Sequence, residues 1–191
     1  MRHKADILIM ARKLFSQHGY HGTSMRELAR SLDLREATLY AHIISKEEIL
    51  WEIVHQAAHA FLSHAEAVPV DLPLEEQLER LVYGHLRIIT YERHATTVFF
   101  NEWRCLSPER QEKIKELRDA YEACFQRVIE EGAQRGLFQV ADVRLATLFV
   151  LSALNWVYQW VNPVRKLTIK QLADAYFVFI MQSLKADVSR D

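Results

Sequence analysis

Helix-breaking residues are scarce along this chain, and that scarcity constrains its fold more than any other feature. The 191 residues include only 5 glycines and 4 prolines, the two residue types that most disfavour a helix interior. Half of the residues are hydrophobic, and they recur at spacings of three and four, as one face of a helix requires. The sequence therefore predicts an all-α fold of about nine helices.

The same composition argues against a membrane protein and against a secreted one. The most apolar stretch, residues 146–161, is interrupted by polar residues and is shorter than the roughly 20 apolar residues that a membrane helix needs. Only two cysteines occur, Cys105 and Cys124, and no secretory segment is recognisable at the start of the sequence. We therefore expect free thiols in a reducing, cytoplasmic setting. No cofactor is predicted for this chain.

Charge is distributed unevenly along the chain. The first 46 residues hold eight Lys or Arg and four Asp or Glu, a net charge of +4, although the whole chain carries −1. A basic end on an acidic body suits a protein that presents this end to a polyanion such as DNA. Hydrophobic spacing within the basic end predicts three short helices, the third from about Arg35 to Ile43, with Asp33 in the tight turn before it.

Many residue types agree at fixed spacings in the first quarter of the chain. They are Ile7, Leu8, Ala11, Leu14, Phe15, Gly19, Tyr20, Thr23, Ser24, Leu28, Ala29, Leu34, Thr38, Leu39, Tyr40, Ala41, His42, Ser45, Lys46, Glu47 and Leu50. Without an insertion or deletion, this string resembles the N-terminal domain of TetR-family repressors. The resemblance implies a helix-turn-helix DNA-binding domain at residues 1–46, followed by a helical ligand-binding and dimerisation domain at residues 47–191.

The resemblance also implies which residues contact DNA. The third helix would enter the major groove, which is about 12 Å wide, with the side chains of residues 35–38 towards the bases. Thr38 can hydrogen-bond a base edge, while Glu36 can accept a hydrogen bond from cytosine or point to solvent. Residues 40, 42 and 46 match phosphate contacts, and a hydroxyl at residue 23 or 24 would bind another phosphate. The predicted DNA-binding residues are Thr23, Ser24, Arg35, Glu36, Ala37, Thr38, Tyr40, His42 and Lys46.

A long helix should connect the predicted DNA-binding domain at residues 1–46, the head, to the predicted ligand-binding and dimerisation domain at residues 47–191, the body. Ser45 and Glu48 form a predicted capping box at its start, and the helical pattern continues to about Pro69. No flexible linker is predicted between the two parts, so we expect them to move together.

Two helices near the end of the chain are candidates for a dimer interface. The helix predicted from Asp142 to Asn162 is apolar nearly all round, as a helix buried on every side would be. With the last helix, predicted from Thr168 to about Ala186, it is interpreted as half of a symmetric four-helix interface, which the resemblance also implies. The alternative is a fully internal helix of a monomer. The predicted interface residues are Leu148, Leu151, Trp156, Trp160, Tyr176, Phe179 and Ile180.

The middle helices should enclose a ligand site. Polar groups on apolar helix faces fix the orientation of a ligand, and His64 and His85 lie on such faces; the alternative is that both are core histidines. The predicted ligand-binding residues are Phe61, His64, His85, Phe99, Phe100, Trp103, Tyr121 and Phe125. Aromatic residues in this set can equally be core.

The identity of the effector rests on the resemblance. The segment 45–53 and the aromatic body resemble TetR-family regulators of fatty-acid and steroid degradation, which respond to acyl-CoA thioesters. Arg87, Arg93 or Arg104 could then bind the CoA phosphates. The expected function is a dimeric repressor that a hydrophobic effector releases from a palindromic operator. The alternatives are a multidrug-type sensor of planar hydrophobic compounds and a helical interaction module that does not bind DNA.

Other chemistry has little support in the sequence. Phosphate-binding glycine loops, Gly-x-Ser-x-Gly, His-Glu-x-x-His and Cys-x-x-Cys motifs are all absent, so no enzyme is predicted. His55 and His59 lie one helical turn apart, a spacing that can bind a metal, but no third ligand joins them and no metal site is predicted. Nothing clearly activates Cys105 or Cys124 for a redox switch.

Overall fold

The chain folds into helices joined by short loops, as its hydrophobic spacing predicts. The computed structural model describes residues 4–161 and 167–185, and no strand occurs within those two ranges. In chain order the helices are α1 (Lys4–His18), α2 (Met25–Ser31), α3 (Glu36–Tyr40), α4 (Lys46–Glu66), α5 (Leu74–Tyr91), α6 (Arg93–Glu102), α7 (Pro108–Gln134), α8 (Val143–Asn155), α9 (Val157–Trp160) and α10 (Ile169–Lys185). A 3-10 turn, Trp103–Cys105, precedes α7.

Contacts between the helices divide the chain into two units. Unit 1 consists of Met1–His59 and Glu92–Leu117, and unit 2 of Ala60–Tyr91 and Arg118–Asp191. Helix α4 is unbroken and supplies residues to both units. The functional boundary between residues 46 and 47 stays a prediction, since a division by contacts does not test it.

Unit 1 holds the three helices predicted for the basic end. Ile7, Ala11 and Phe15 are buried along α1, which packs against α2 and α6. Ser24 caps α2 by accepting a hydrogen bond from the Glu27 amide. Asp33 adopts a φ of 55° in the turn before α3, a left-handed conformation that Asp tolerates better than most residues.

The third helix is shorter than predicted. It ends at Tyr40, and the chain then tightens, because the His42 amide donates to the Leu39 carbonyl three residues back at 3.0 Å. Ile43 is nevertheless buried, as is Leu39. These two apolar side chains hold the short helix to the rest of the head.

Only half of the predicted capping box forms at the start of α4. The Ser45 hydroxyl accepts a hydrogen bond from the Glu48 amide at 3.1 Å. The Glu48 carboxylate pairs with Arg110 at 2.5 Å and makes no reciprocal capping bond among the described contacts. A charged partner on α7 offers a stronger hydrogen bond than the Ser45 amide does.

In unit 2, α5 packs against α10. The buried face of α5 includes Leu78, Val82, Leu86 and Ile89, a spacing of four and three that predicts this face from sequence. A capping box forms at the start of α10, where Gln171 accepts from the Thr168 amide and the Thr168 hydroxyl accepts from the Gln171 amide. The predicted last residue, Ala186, lies outside the described residues.

The long helix predicted from Asp142 to Asn162 is divided. Helix α8 ends at Asn155, and α9 begins at Val157 after a break at Trp156. The Gln159 amide bonds the Trp156 carbonyl three residues back, at 3.1 Å, which tightens the backbone here. Asp142, where the helix was predicted to begin, is the N-cap of α8 and accepts from the Leu145 amide. Asn162, the predicted end, falls in the part of the chain that is not described.

Candidate functional site

The predicted recognition helix presents its polar side chains outward. Glu36, Ala37 and Thr38 are exposed on α3, while Leu39 between them and Tyr40 is fully buried. Tyr40 is 49% exposed. This is the arrangement that base and phosphate contacts need, since a side chain that reads DNA must be free of the core. The contacts themselves stay predictions, as do those of the exposed Arg35 and His42.

Of the two hydroxyls predicted near a phosphate, one is inside the protein. Thr23 is 1% exposed, and its hydroxyl donates to the Gly19 carbonyl at 3.0 Å. Its side chain is therefore a structural element of the loop between α1 and α2. Ser24 is exposed at the start of α2, so only Ser24 remains available for the predicted contact.

Lys46 already has an aromatic neighbour. Its ammonium group lies over the Tyr20 ring, 4.2 Å from the centroid, in a cation–π contact. Burial lowers the pKa of Lys46, and the nearby Cys105 and Glu102 oppose that effect. A lysine held against a ring offers a positioned charge, which suits the phosphate contact predicted for it.

Sequence reasoning missed two arginines beside the recognition helix. Arg26 and Arg30 are exposed one turn apart on α2. With Arg35 they border a concavity of about 420 Å³, which Asp33 and Glu36 also line. The i, i+4 spacing of the two arginines was the available signal, because residues at that spacing share one face of a helix.

An apolar face of unit 2 is open to solvent. Its exposed side chains lie on α8 to α10, and α8 packs directly against α10. They are Leu145, Leu148, Phe149, Trp156, Trp160, Val178 and Phe179. We call these seven residues the apolar face. Large apolar side chains exposed on helices that pack together are typical of an interaction site.

Two of the residues predicted for the dimer interface do not belong to this face. Leu151 and Ile180 are 7% and 2% exposed and lie in the core of unit 2. Leu148, Trp156, Trp160 and Phe179 are exposed as an interface residue must be, and Tyr176 is half-buried against the Trp160 ring. Helix α8 is apolar all round because one side packs inside its own unit while the other is open.

Four of the predicted ligand residues form one aromatic cluster in unit 2. The His85 ring lies 4.9 Å from Phe61 and 5.9 Å from Tyr121, and Tyr121 lies 5.4 Å from Phe125. Phe61, His85 and Phe125 are buried. Tyr121 is partly exposed, although burial of its hydroxyl raises its pKa well above the usual range. We call these four residues the aromatic cluster.

The other three aromatic residues predicted for the ligand site lie in unit 1. Phe99 and Phe100 contact each other edge to face, 5.0 Å apart, on α6. Trp103 follows in the 3-10 turn, with the Arg104 guanidinium 4.7 Å from its ring. Their part in ligand binding stays a prediction. These three residues belong to unit 1, whereas the aromatic cluster belongs to unit 2.

His64 lies in unit 2 outside the aromatic cluster. Its Nε2 donates to the Arg80 carbonyl at 3.2 Å, and the ring packs closely against Gly84. The ring also lines an open groove of about 520 Å³ between the end of α4, α5 and α10. Gly84 is needed here, because a Cβ at that position would overlap the His64 ring. The predicted ligand role of His64 is untested.

This close packing leads to a prediction on stability. We expect Gly84→Ala to lower the free energy of unfolding by about 1–2 kcal/mol, because overpacking outweighs the gain of up to about 1 kcal/mol in helix propensity. In a His64→Ala background the same change should be neutral or stabilising. Urea denaturation of the four proteins checks the reversal of sign. Equal effects of Gly84→Ala in both backgrounds would contradict the packing described.

Metal and redox chemistry gain no support. His55 and His59 contact each other through Nε2 at 3.1 Å. Among the residues that the structure describes, no group of three or more His, Cys, Asp or Glu could hold a metal ion. Cys105 and Cys124 are free, and burial raises the pKa of both thiols. Nor is any helix in the described ranges long and apolar enough to cross a membrane.

Comparison with known proteins agrees with the architecture. The TetR-family model of bacterial regulatory proteins matches residues 7–53, and the tetracyclin repressor-like C-terminal domain matches residues 71–184. The chain is 26% identical to the HTH-type transcriptional repressor KstR2 of Rhodococcus jostii over 184 residues, 95% of this chain and 90% of that protein.

Two crystal structures are similar over nearly the whole chain. PfmR, a TetR-family regulator from Thermus thermophilus, has a TM-score of 0.86 and 34% identity, over 94% of this chain and 99% of that one. AibR, in complex with isovaleryl coenzyme A and operator DNA, has a TM-score of 0.82 and 25% identity, over 92% and 96%. These matches are to transcriptional regulators and not to enzymes, as the sequence predicts. Because the two family models together cover most of its length, the chain belongs to the TetR family of transcriptional regulators.

Proposed function

We propose that this protein is a dimeric transcriptional repressor that binds a palindromic operator and is released by an acyl-CoA thioester. The observation that carries the proposal is the head: exposed Glu36, Ala37 and Thr38 stand on a short helix that buried Leu39 anchors. Side chains so placed can reach base edges in the major groove. Such a regulator acts on DNA in the cytoplasm.

The apolar face supports the dimer. A second copy of the chain is its natural partner, because a two-fold interface needs one self-complementary surface on each subunit. Large exposed side chains such as Trp156 and Phe179 suit the centre of such an interface. The dimer would present two recognition helices to half-sites about one turn of DNA apart, or a multiple of it.

Two relatives support the remaining parts of the proposal. The full-length relative KstR2 is named a repressor, which favours repression over activation. The AibR structure holds isovaleryl coenzyme A together with operator DNA, which favours an acyl-CoA effector. The effector would act by binding the DNA-free state more tightly, and it can weaken operator binding only by that difference in affinity. Unbroken α4, which supplies both units, offers a path for the coupling.

The phosphate contact of Lys46 tests operator binding. An operator duplex is first selected from a random DNA library with the full-length protein. Lys46→Ala should then weaken binding to all duplexes and reduce the slope of log K against log salt by about one unit per head, because one phosphate contact is lost. Lys115→Ala, which removes the same charge from exposed α7, is the control and should leave the slope unchanged. An unchanged slope for Lys46→Ala would remove Lys46 from the interface.

Thr38 tests base recognition separately. Thr38→Ala should keep the salt slope of the parent protein and change the preferred base at one position of each half-site. A mismatched base pair costs about 1–3 kcal/mol, so the parent's preference there should fall about tenfold or more. A repeated library selection with the variant measures this. An identical selected operator would show that Thr38 does not read a base.

A further inference from the structure

The aromatic cluster contains a buried nitrogen without a well-formed hydrogen bond. His85 is 1% exposed and lies on the face of α5 that packs into unit 2. Its Nδ1 is 2.8 Å from the Tyr121 hydroxyl. Its Nε2 makes no hydrogen bond of good geometry to any residue that the structure describes, although the Leu154 backbone acts on the ring as a weak hydrogen-bond partner. Buried polar atoms in this condition are rare, and each one calls for an explanation.

The hydroxyl of Tyr121 decides which ring nitrogen carries the proton. Burial keeps the phenol protonated, because it raises the pKa of Tyr121 far above neutrality. The Tyr121 O–H is satisfied when it donates to Nδ1 of His85, and the single proton of the neutral ring is then on Nε2. The Leu154 carbonyl near the ring favours the same arrangement, because a carbonyl attracts an N–H. Nε2 of His85 is thus a donor that the Leu154 carbonyl satisfies only weakly.

The surroundings of the ring select for an uncharged acceptor. Burial lowers the pKa of His85 to about 3, against the opposing effect of the Leu154 carbonyl and with a further lowering by His64. At neutral pH the ring therefore carries no charge with which to balance a carboxylate. Phe61 and Phe125, whose rings contact this pair, are buried and apolar. A carbonyl oxygen attached to an apolar chain matches both the uncharged ring and its apolar surroundings.

We propose that His85 recognises the effector by donating a hydrogen bond from Nε2 to the carbonyl oxygen of its thioester, with Tyr121 as the positioning residue that fixes the tautomer. This inference rests on the proposed acyl-CoA effector and states how the site would recognise it. The site would distinguish a thioester carbonyl from a methylene group at the same place. The acyl chain would lie among the phenyl rings of the aromatic cluster.

The first test uses the unchanged protein and pairs of ligands. Isovaleryl-, octanoyl- and palmitoyl-CoA are each compared by calorimetry with the corresponding S-alkyl-CoA thioether, which lacks only the carbonyl oxygen. For the acyl chain length that binds best, the thioester should bind at least about tenfold more tightly than its thioether. The reason is that the thioether leaves a buried donor unpaired. No substitution is needed, so the comparison stands even if a variant fails to fold.

Matched substitutions then assign the effect to His85. His85→Met removes the N–H and should reduce the preference for the thioester to less than about threefold. His85→Gln has a similar length and keeps a donor, so it should retain more of that preference. Tyr121→Phe should reduce the preference without removing it, because the proton is no longer fixed on Nε2. His59→Gln, on the exposed side of α4, is the control and should behave as the parent protein does.

The outcomes separate this inference from the proposed function. Equal affinity of the parent protein for thioester and thioether would overturn the role of His85 while leaving the acyl-CoA effector intact. A preference that survives in His85→Met would also overturn it. Binding of no CoA derivative, with operator binding retained, would contradict the proposed effector itself and this inference with it.

Discussion

Phe179→Glu is expected to convert the dimer into monomers and to reduce operator affinity at least about 100-fold. Phe179 is 65% exposed on α10 within the apolar face. A two-fold interface would bring the substituted residue in from both subunits, so one mutation buries two carboxylates without partners. A monomer then carries one head where the palindrome needs two. Sedimentation velocity and operator titration measure the two effects.

A matched control is available for this substitution. Val70→Glu also places a carboxylate at an exposed apolar position of unit 2, because Val70 is 72% exposed before α5. It should leave both the dimer and operator binding unchanged. The free energy of unfolding of the isolated subunit should differ little in either variant, since exposed positions tolerate substitution. A dimeric Phe179→Glu protein with normal operator affinity would show that the apolar face is not the interface.

The second large effect is a loss of stability in mild acid that depends on His85. The pKa of this histidine is lowered to about 3 by burial in the folded chain, compared with about 6.5 for an exposed histidine. Below pH 6.5 the unfolded chain binds a proton that the folded chain does not, so the folded state loses stability as the pH falls towards 3. The loss from this one group approaches about 1.4 kcal/mol per pH unit.

Comparison with a variant that cannot titrate isolates this contribution. Burial also lowers the pKa of His55 and His94, so the pH dependence of the parent protein alone is not specific to His85. The difference in unfolding free energy between the parent and His85→Gln should be constant above pH 6.5 and should change between pH 6 and 4. Urea denaturation at pH 7, 6 and 5 measures it. A difference that is independent of pH would mean that His85 is accessible to protons in the folded protein.

Periodicity in the sequence predicted the helices and most of the core faces. The spacing of Leu78, Val82, Leu86 and Ile89 predicted the buried side of α5, because polar residues mark its other side. Leu39 and Ile43 lie four residues apart, the spacing of one helix face, and both are buried. Where a helix has a polar face, the sequence alone is sufficient to orient it.

The predictions were less successful for segments in which no polar face contrasts with an apolar one. Helix α8 has apolar residues on all sides, so its sequence could not show that Leu148 is exposed and Leu151 buried. Thr23 and Ser24 are equivalent as capping residues, and only the backbone of the loop decided that Thr23 turns inward. The packing of His64 on Gly84 joins residues 20 apart in sequence and needs the fold to be recognised. Such details depend on tertiary contacts, which local patterns do not encode.

The most direct test of the whole proposal is an operator titration with and without effector. Fluorescence anisotropy follows binding of the selected duplex to the full-length protein in the presence of isovaleryl-, octanoyl- or palmitoyl-CoA, with free CoA as control. We expect tight, salt-dependent binding of a palindrome by the dimer, and a weakening of about 5- to 150-fold by at least one thioester but not by free CoA. Operator affinity that stays the same while an acyl-CoA is bound would contradict the account, and so would the absence of any selected duplex.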